Sequence, residues 1–169
     1  MKVTLIAAVT IDGFIARDDV HLSTRWTSKE DTRFFRRLSA KVGHMVVGSK
    51  TFKTFDRKMA GRKIYVYSHK QTVENSSEND IEVVSASPKK FITDLESRGV
   101  AEVLICGGSS IYTLFMKAGV VDRLLLTQES TIFGAGVPLF SEPLKIKVSL
   151  DIIHNLSDQT KVFEYEVMK

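Results

Sequence analysis

Apolar residues along the chain gather into short runs, and the stretches between them repeat apolar positions at helical spacing. Runs of about four to eight residues bounded by turn residues predict buried strands. On that basis strands are expected over residues 2–9, 44–47, 63–68, 81–85, 101–106 and 123–130. Helices are expected over 28–40, from 49 through Phe55, over 88–97 and over 109–118. Pro88 opens the third of these and Gly99 lies just past its end, which is the usual punctuation of a helix. Alternating strands and helices predict an α/β fold with a mostly parallel sheet. The tail changes period. Ile146, Val148, Leu150 and Ile152 alternate with Lys147, Ser149 and Asp151, and Phe163, Tyr165 and Val167 alternate with Glu164 and Glu166. This predicts an antiparallel hairpin at the sheet edge. Asp12-Gly13 marks a turn, and residues 17–23 and 69–80 read as polar loops. Nothing resembling a linker or a repeat interrupts the pattern, so one domain over 1–169 is expected.

Composition changes this picture little. The 169 residues are 43% apolar and 26% charged, which is ordinary for a globular domain and excludes disordered and collagen-like classes. No apolar run reaches the roughly 18 residues of a membrane span. Met1-Lys2 leads directly into a strand pattern, so no secretory leader and a cytoplasmic location are expected. Cys106 is the single cysteine, which excludes an internal disulfide framework and a cysteine-cluster zinc site. The four histidines show no metal-ligand spacing, and no metal is expected.

Charge adds more. Residues 25–70 hold thirteen Lys/Arg against three Asp/Glu, although the whole chain carries only +4. Such a block suits a phosphate-bearing partner or a solvated basic surface. A nucleic-acid-binding module is a remote alternative, since interleaved aromatics and groove-reading motifs are missing.

Two segments share one local pattern: strand, glycine, hydroxyl residues, helix. They are Val47-Gly48-Ser49-Lys50-Thr51 and Cys106-Gly107-Gly108-Ser109-Ser110. Glycine admits a ligand close to the backbone, and a helix N-terminus favours a phosphate. Two such turns in one parallel sheet could hold the two ends of a dinucleotide; equally, they could be ordinary capped β–α turns. The spacing does not make a P-loop. Asp31 lies three, four and seven residues before Phe34, Phe35 and Leu38, on the apolar side of its helix. A carboxyl there is either a desolvated group suited to general-acid work or the fourth position of a capping box opened by Ser28. Arg62 precedes a strand, where it could clamp an anion or simply edge the sheet. No serine and no cysteine has a visible base partner, which leaves nucleophilic catalysis without support.

Taken together, these residues resemble the dihydrofolate reductase superfamily, which includes the reductase domain of the riboflavin-biosynthesis deaminase–reductase. The resemblance runs from residue 1 to about 140. Leu5-Ile6-Ala7-Ala8, the Trp26-x4-Asp31-x3-Phe35 pattern, the ungapped stretch from Gly48 to Ser68, and the run from Cys106 to Tyr112 resemble dihydrofolate reductase itself. The segments 10–16, 118–122 and 134–140 are closer to the riboflavin-pathway pyrimidine reductase. Arg25 stands where dihydrofolate reductases carry proline, and Ser49 where they carry an arginine against the cofactor 2′-phosphate.

The resemblance implies a three-layer fold and hydride transfer from NADPH to a pterin- or pyrimidine-like heterocycle. It implies that Asp31 binds the heterocycle and assists its protonation, in a substrate pocket of Ile6, Ala8, Phe35, Phe55, Met59, Arg62 and Thr127. For the cofactor it implies Ala8, Ile15, Gly48, Ser49, Lys50, Thr51, Ser68, His69, Cys106, Gly107, Gly108, Ser109, Ser110, Ile111 and Tyr112. A homodimer is expected by analogy with the riboflavin-side relatives. The loop over 17–23 is expected to act as a lid.

Overall fold

Residues 2–10 are apolar toward both sides, and the structure places them where both sides are covered. In the computed structural model, which describes residues 1–18, 21, 23–54, 59–68 and 80–169, they form the central strand β1 (Lys2–Thr10). The other strands of the main sheet are β3 (His44–Gly48), β4 (Lys63–Tyr67), β5 (Asp80–Val84), β6 (Glu102–Ile105), β7 (Arg123–Glu129), β9 (Val148–Asn155) and β10 (Thr160–Val167). Their spatial order is β5-β4-β3-β6-β1-β7-β10-β9. The first six of these are mutually parallel, while β10 runs antiparallel to β7 and β9 antiparallel to β10. The mostly parallel sheet with a C-terminal antiparallel hairpin is therefore the architecture expected from the hydrophobic pattern.

Helices cover both faces of the parallel part, giving three layers. On one side, α1 (Lys29–Val42) lays Phe34, Phe35, Leu38 and Val42 over Ile6, Leu104, Leu125 and Val162. Ser28 caps this helix, and Gly43 ends it in the left-handed conformation. On the other side, Phe91 of α3 (Pro88–Ser97) and Phe115 of α4 (Ser109–Lys117) pack edge-on around Tyr67, above Leu5, Val46 and Ile105. α2 (Ser49–Phe52) is a single turn after β3 and stops before the expected Phe55, which lies outside the described residues.

Two differences from the pattern have physical causes. A small sheet of β2 (Phe14–Ala16) and β8 (Val137–Pro138) was not expected, because two- and three-residue strands are too short to show a period. It closes only because residue 136 is glycine: a Cβ there would collide with the Ala16 carbonyl oxygen. The apolar alternation of the tail also breaks. The register slips opposite Glu164/Tyr165 and leaves Asp151 as an extra residue, so Leu150 faces the side of Tyr165 while Ile152 faces that of Glu164.

Candidate active site

The carboxyl ends of β1, β3, β4 and β6 open into one cleft of about 1340 Å³. This is where open α/β sheets present ligands. Of the residues singled out in the sequence, Ile6, Ala8, Asp31, Phe35, Met59 and Arg62 line it, as do Ile15, Gly48, Ser49, Lys50, Thr51 and Ser68. Cys106 and the first turn of α4, from Gly108 to Tyr112, complete that wall. Gly107 lies behind them and accepts a 2.7 Å hydrogen bond from Gly48 N–H, which ties the two glycine turns together. A Cβ on Gly48 would stand 2.9 Å from Ile111 Cγ1, so only glycine lets β3 and α4 approach this closely. Phe55 and His69 lie outside the described residues. Of the loop over 17–23, Asp18, His21 and Ser23 border the cleft.

Asp31 satisfies both sequence readings at once. Its backbone N–H donates to Ser28 Oγ at 3.1 Å, which makes it part of the helix cap. Its side chain meanwhile points into the cleft. Burial raises its proton affinity. The Thr127 hydroxyl pulls the other way, the Glu129 charge raises it further, and the Thr27 hydroxyl lowers it; the net shift is upward. Thr127 is not on the cleft wall; its hydroxyl is buried beneath Asp31 without a hydrogen bond of its own in normal range.

Arg62 borders the cleft with its guanidinium partly committed. Nε donates to Ser39 Oγ, Nη1 to the Ala60 carbonyl and Nη2 to the Arg36 carbonyl, each at 3.0 Å. Among the described residues, these bonds leave one N–H on each terminal nitrogen without an acceptor. Tyr112 donates its hydroxyl to the Ile6 carbonyl at 2.7 Å, joining α4 to β1 at the centre of the site. Burial pushes the Tyr112 phenol and the Cys106 thiol well up, so both stay neutral.

Sequence reasoning missed part of the site. Ser85, Ser87 and Pro88 form a wall between β5 and α3, and Val137, Pro138 and Ser141 form another near Ala16. The hydroxyls of Tyr67 and Ser109, on the cleft wall, are buried without a partner among the described residues. Glu129 was missed too, although strand alternation places it on the same side as Leu125 and Thr127. Among the described residues no group of three or more His, Cys, Asp or Glu could hold a metal ion. No helix of the described residues is long and apolar enough to cross a membrane.

Comparison with known proteins supplies the family. The model of the RibD C-terminal domain matches residues 1–162. The chain belongs to the RibD C-terminal domain family. A Caenorhabditis elegans protein provisionally named a dihydrofolate reductase is 25% identical, with 99% of this chain and 93% of that protein aligned. A Shewanella structure provisionally ascribed to riboflavin biosynthesis superposes over the full length of both chains, with a TM-score of 0.83 and 23% identity. The Thermotoga maritima diaminohydroxyphosphoribosylaminopyrimidine deaminase/5-amino-6-(5-phosphoribosylamino)uracil reductase superposes with a TM-score of 0.76 and 19% identity, over 99% of this chain and 56% of that one. The RibD C-terminal domain fold thus accounts for the whole architecture described above, hairpin included.

Proposed function

We propose that the protein is an NADPH-dependent reductase of a pterin- or pyrimidine-like heterocycle. The observation that carries this reading is Asp31. A carboxyl of raised proton affinity stands in the same cleft as two linked glycine turns, one of which opens a nine-residue helix. The cleft suits a dinucleotide. No side chain caps α4, whose first residue, Ser109, carries a buried hydroxyl without a partner, and Tyr67 offers a second on the β4 side. Gly48, Ser49, Thr51, Gly108, Ser109 and Ser110 would hold the phosphates, with Lys50 supplying charge. NADPH, when bound, supplies a hydride.

The chain's own residues do the rest. Asp31 accepts the amino-imine edge of the heterocycle and keeps a proton available for the ring nitrogen beside the hydride acceptor. Phe35, Met59 and Ile6 provide apolar walls that exclude water, and the two outward N–H groups of Arg62 receive an anionic tail.

The second reading is reduction of a ribosylaminopyrimidine. The segment around residues 134–138 favours it: Asp12 accepts hydrogen bonds from Phe133 N–H and Gly134 N–H, which sets the β8 side of the cleft in the manner of the riboflavin-side resemblance. NADPH consumption followed by absorbance, with dihydrofolate and then with the ribosylaminopyrimidine, separates the two. We expect turnover of one of them and its loss in Asp31→Asn. Turnover of neither, with no NADPH affinity, would reject the reductase.

We also propose that two copies associate through the hairpin, in the cytoplasm. Leu150 and Ile153 are 49% and 46% exposed and lie beside Tyr165 and Phe163. Arg36, Lys50 and Arg62 of the basic stretch 25–70 lie on the cleft wall and would meet the cofactor phosphates or an anionic substrate.

A further inference from the structure

Glu129 ends β7 inside the protein, 6% exposed, yet it takes no place on the cleft wall. A buried carboxylate is costly unless its oxygens are satisfied. Here both are. Oε1 accepts from Ser28 N–H and from Ser28 Oγ, each at 2.8 Å, and Oε2 accepts from Thr160 Oγ1 at 3.1 Å. The Ser28 hydroxyl therefore has its proton committed to Glu129 and its lone pairs turned to the Asp31 N–H. The relay runs from β10 through Glu129 and Ser28 to the backbone of Asp31, and joins the strand end to the first turn of α1.

We propose that Glu129 is a positioning residue for Asp31, fixing through Ser28 the helix turn that carries it and placing a negative charge behind its carboxyl. The inference rests on the reading of Asp31 as the group that binds and protonates the heterocycle. Without Glu129, Ser28 would keep a cap but lose its anchor, and α1 would be free to rotate Asp31 in the cleft. The charge acts in the same direction as burial, since a second carboxylate nearby disfavours ionisation of Asp31.

Other groups around Asp31 do not duplicate this effect. Tyr112 and Cys106 are neutral. The cations Arg36, Lys50, Arg62 and Lys117 border the cleft and act in the opposite sense, as does His21 when protonated; the other acids on the wall are Asp18 and Glu142.

The test is a carbon-13 carboxyl NMR titration of Asp31, its signal assigned by its loss in Asp31→Asn, for the ligand-free wild type and for Glu129→Gln. Glutamine preserves the shape and the acceptor for Ser28 but removes the charge. We expect the Asp31 midpoint to fall in Glu129→Gln. A midpoint that stays or rises overturns the inference, whether or not the wild type turns over a substrate. A fallen midpoint in a protein without reductase activity upholds the inference and rejects the reading of the reaction, so the two fail separately. Ser28→Ala tests the relay in a chain that keeps Glu129. The Asp31 amide should then exchange with solvent at least tenfold faster. Unchanged exchange overturns the relay, and this measurement decides the positioning role if Glu129→Gln does not fold.

Discussion

Asp31 is destabilising where it stands, and that gives its role a thermodynamic signature. Its carboxyl holds its proton more tightly in the folded chain than in the unfolded one, mainly because it is buried. Between the ordinary carboxylate value and the raised folded value, the native state binds more protons than the unfolded state. Stability is therefore lost as pH rises through that window. Asp31→Asn removes the effect. We expect its thermal midpoint to exceed that of the wild type at pH 8 and the difference to shrink by pH 4, followed by calorimetry. Turnover should fall over the same window, high at low pH and dropping as Asp31 ionises; a flat profile on the basic side would remove Asp31 as proton source. Arg62 is a second case at this scale. Arg62→Lys keeps the charge but loses the fork, since a lysine presents a point charge. For a substrate with an anionic tail we expect KM to rise by about tenfold or more with kcat little changed, checked by steady-state kinetics.

Among the elements, the amino ends of β1, β6 and β7 are tied to the hairpin by a charged cluster. Arg123 of β7 donates to Glu102 of β6 at 2.7 Å, to Glu164 of β10 at 2.8 Å and to Thr4 of β1. Glu164 also meets His154 of β9 at 2.8 Å. Burial alone would raise the Glu164 carboxyl, but His154 and Arg123 more than offset it and hold it low. Removing the central cation leaves Glu102 without its ion partner and Glu164 with His154 alone. We expect Arg123→Ala to cost about 3 kcal/mol in urea denaturation, far more than a surface pair would. The elements also show why legibility was uneven. β1, α3 and β7 were readable because each has a full period and, in α3, both end signals. β2 and β8 were not, because their existence depends on a contact between Gly136 and Ala16 that is distant in sequence. The same holds within the site. Asp31 was visible from its helical face, and its cap from Ser28, but the partnership with Glu129 spans about a hundred residues and needs the fold to be seen.

For the whole molecule, the exposed hairpin face is the feature that calls for a partner. β9 is an edge strand, and Leu150 and Ile153 are large apolar side chains beside Tyr165 and Phe163. Edges of this kind are usually paired, covered or charged. The double substitution Leu150→Lys, Ile153→Lys should leave the fold intact and yield a monomer by sedimentation velocity where the wild type sediments as a dimer. A wild type that sediments as a monomer would reject the association. The order of strands has a further bearing, on how the chain reaches its structure. β1 lies at the middle of the sheet, yet both its neighbours, β6 and β7, begin more than ninety residues later. During synthesis β1 must therefore wait, with Leu5 and Ile6 unsheltered, until β6 and β7 have followed. Non-local pairing of this kind slows folding and leaves sticky intermediates in the interval. Production of the protein should therefore suffer more from a translational stall between β1 and β6 than from one after β7.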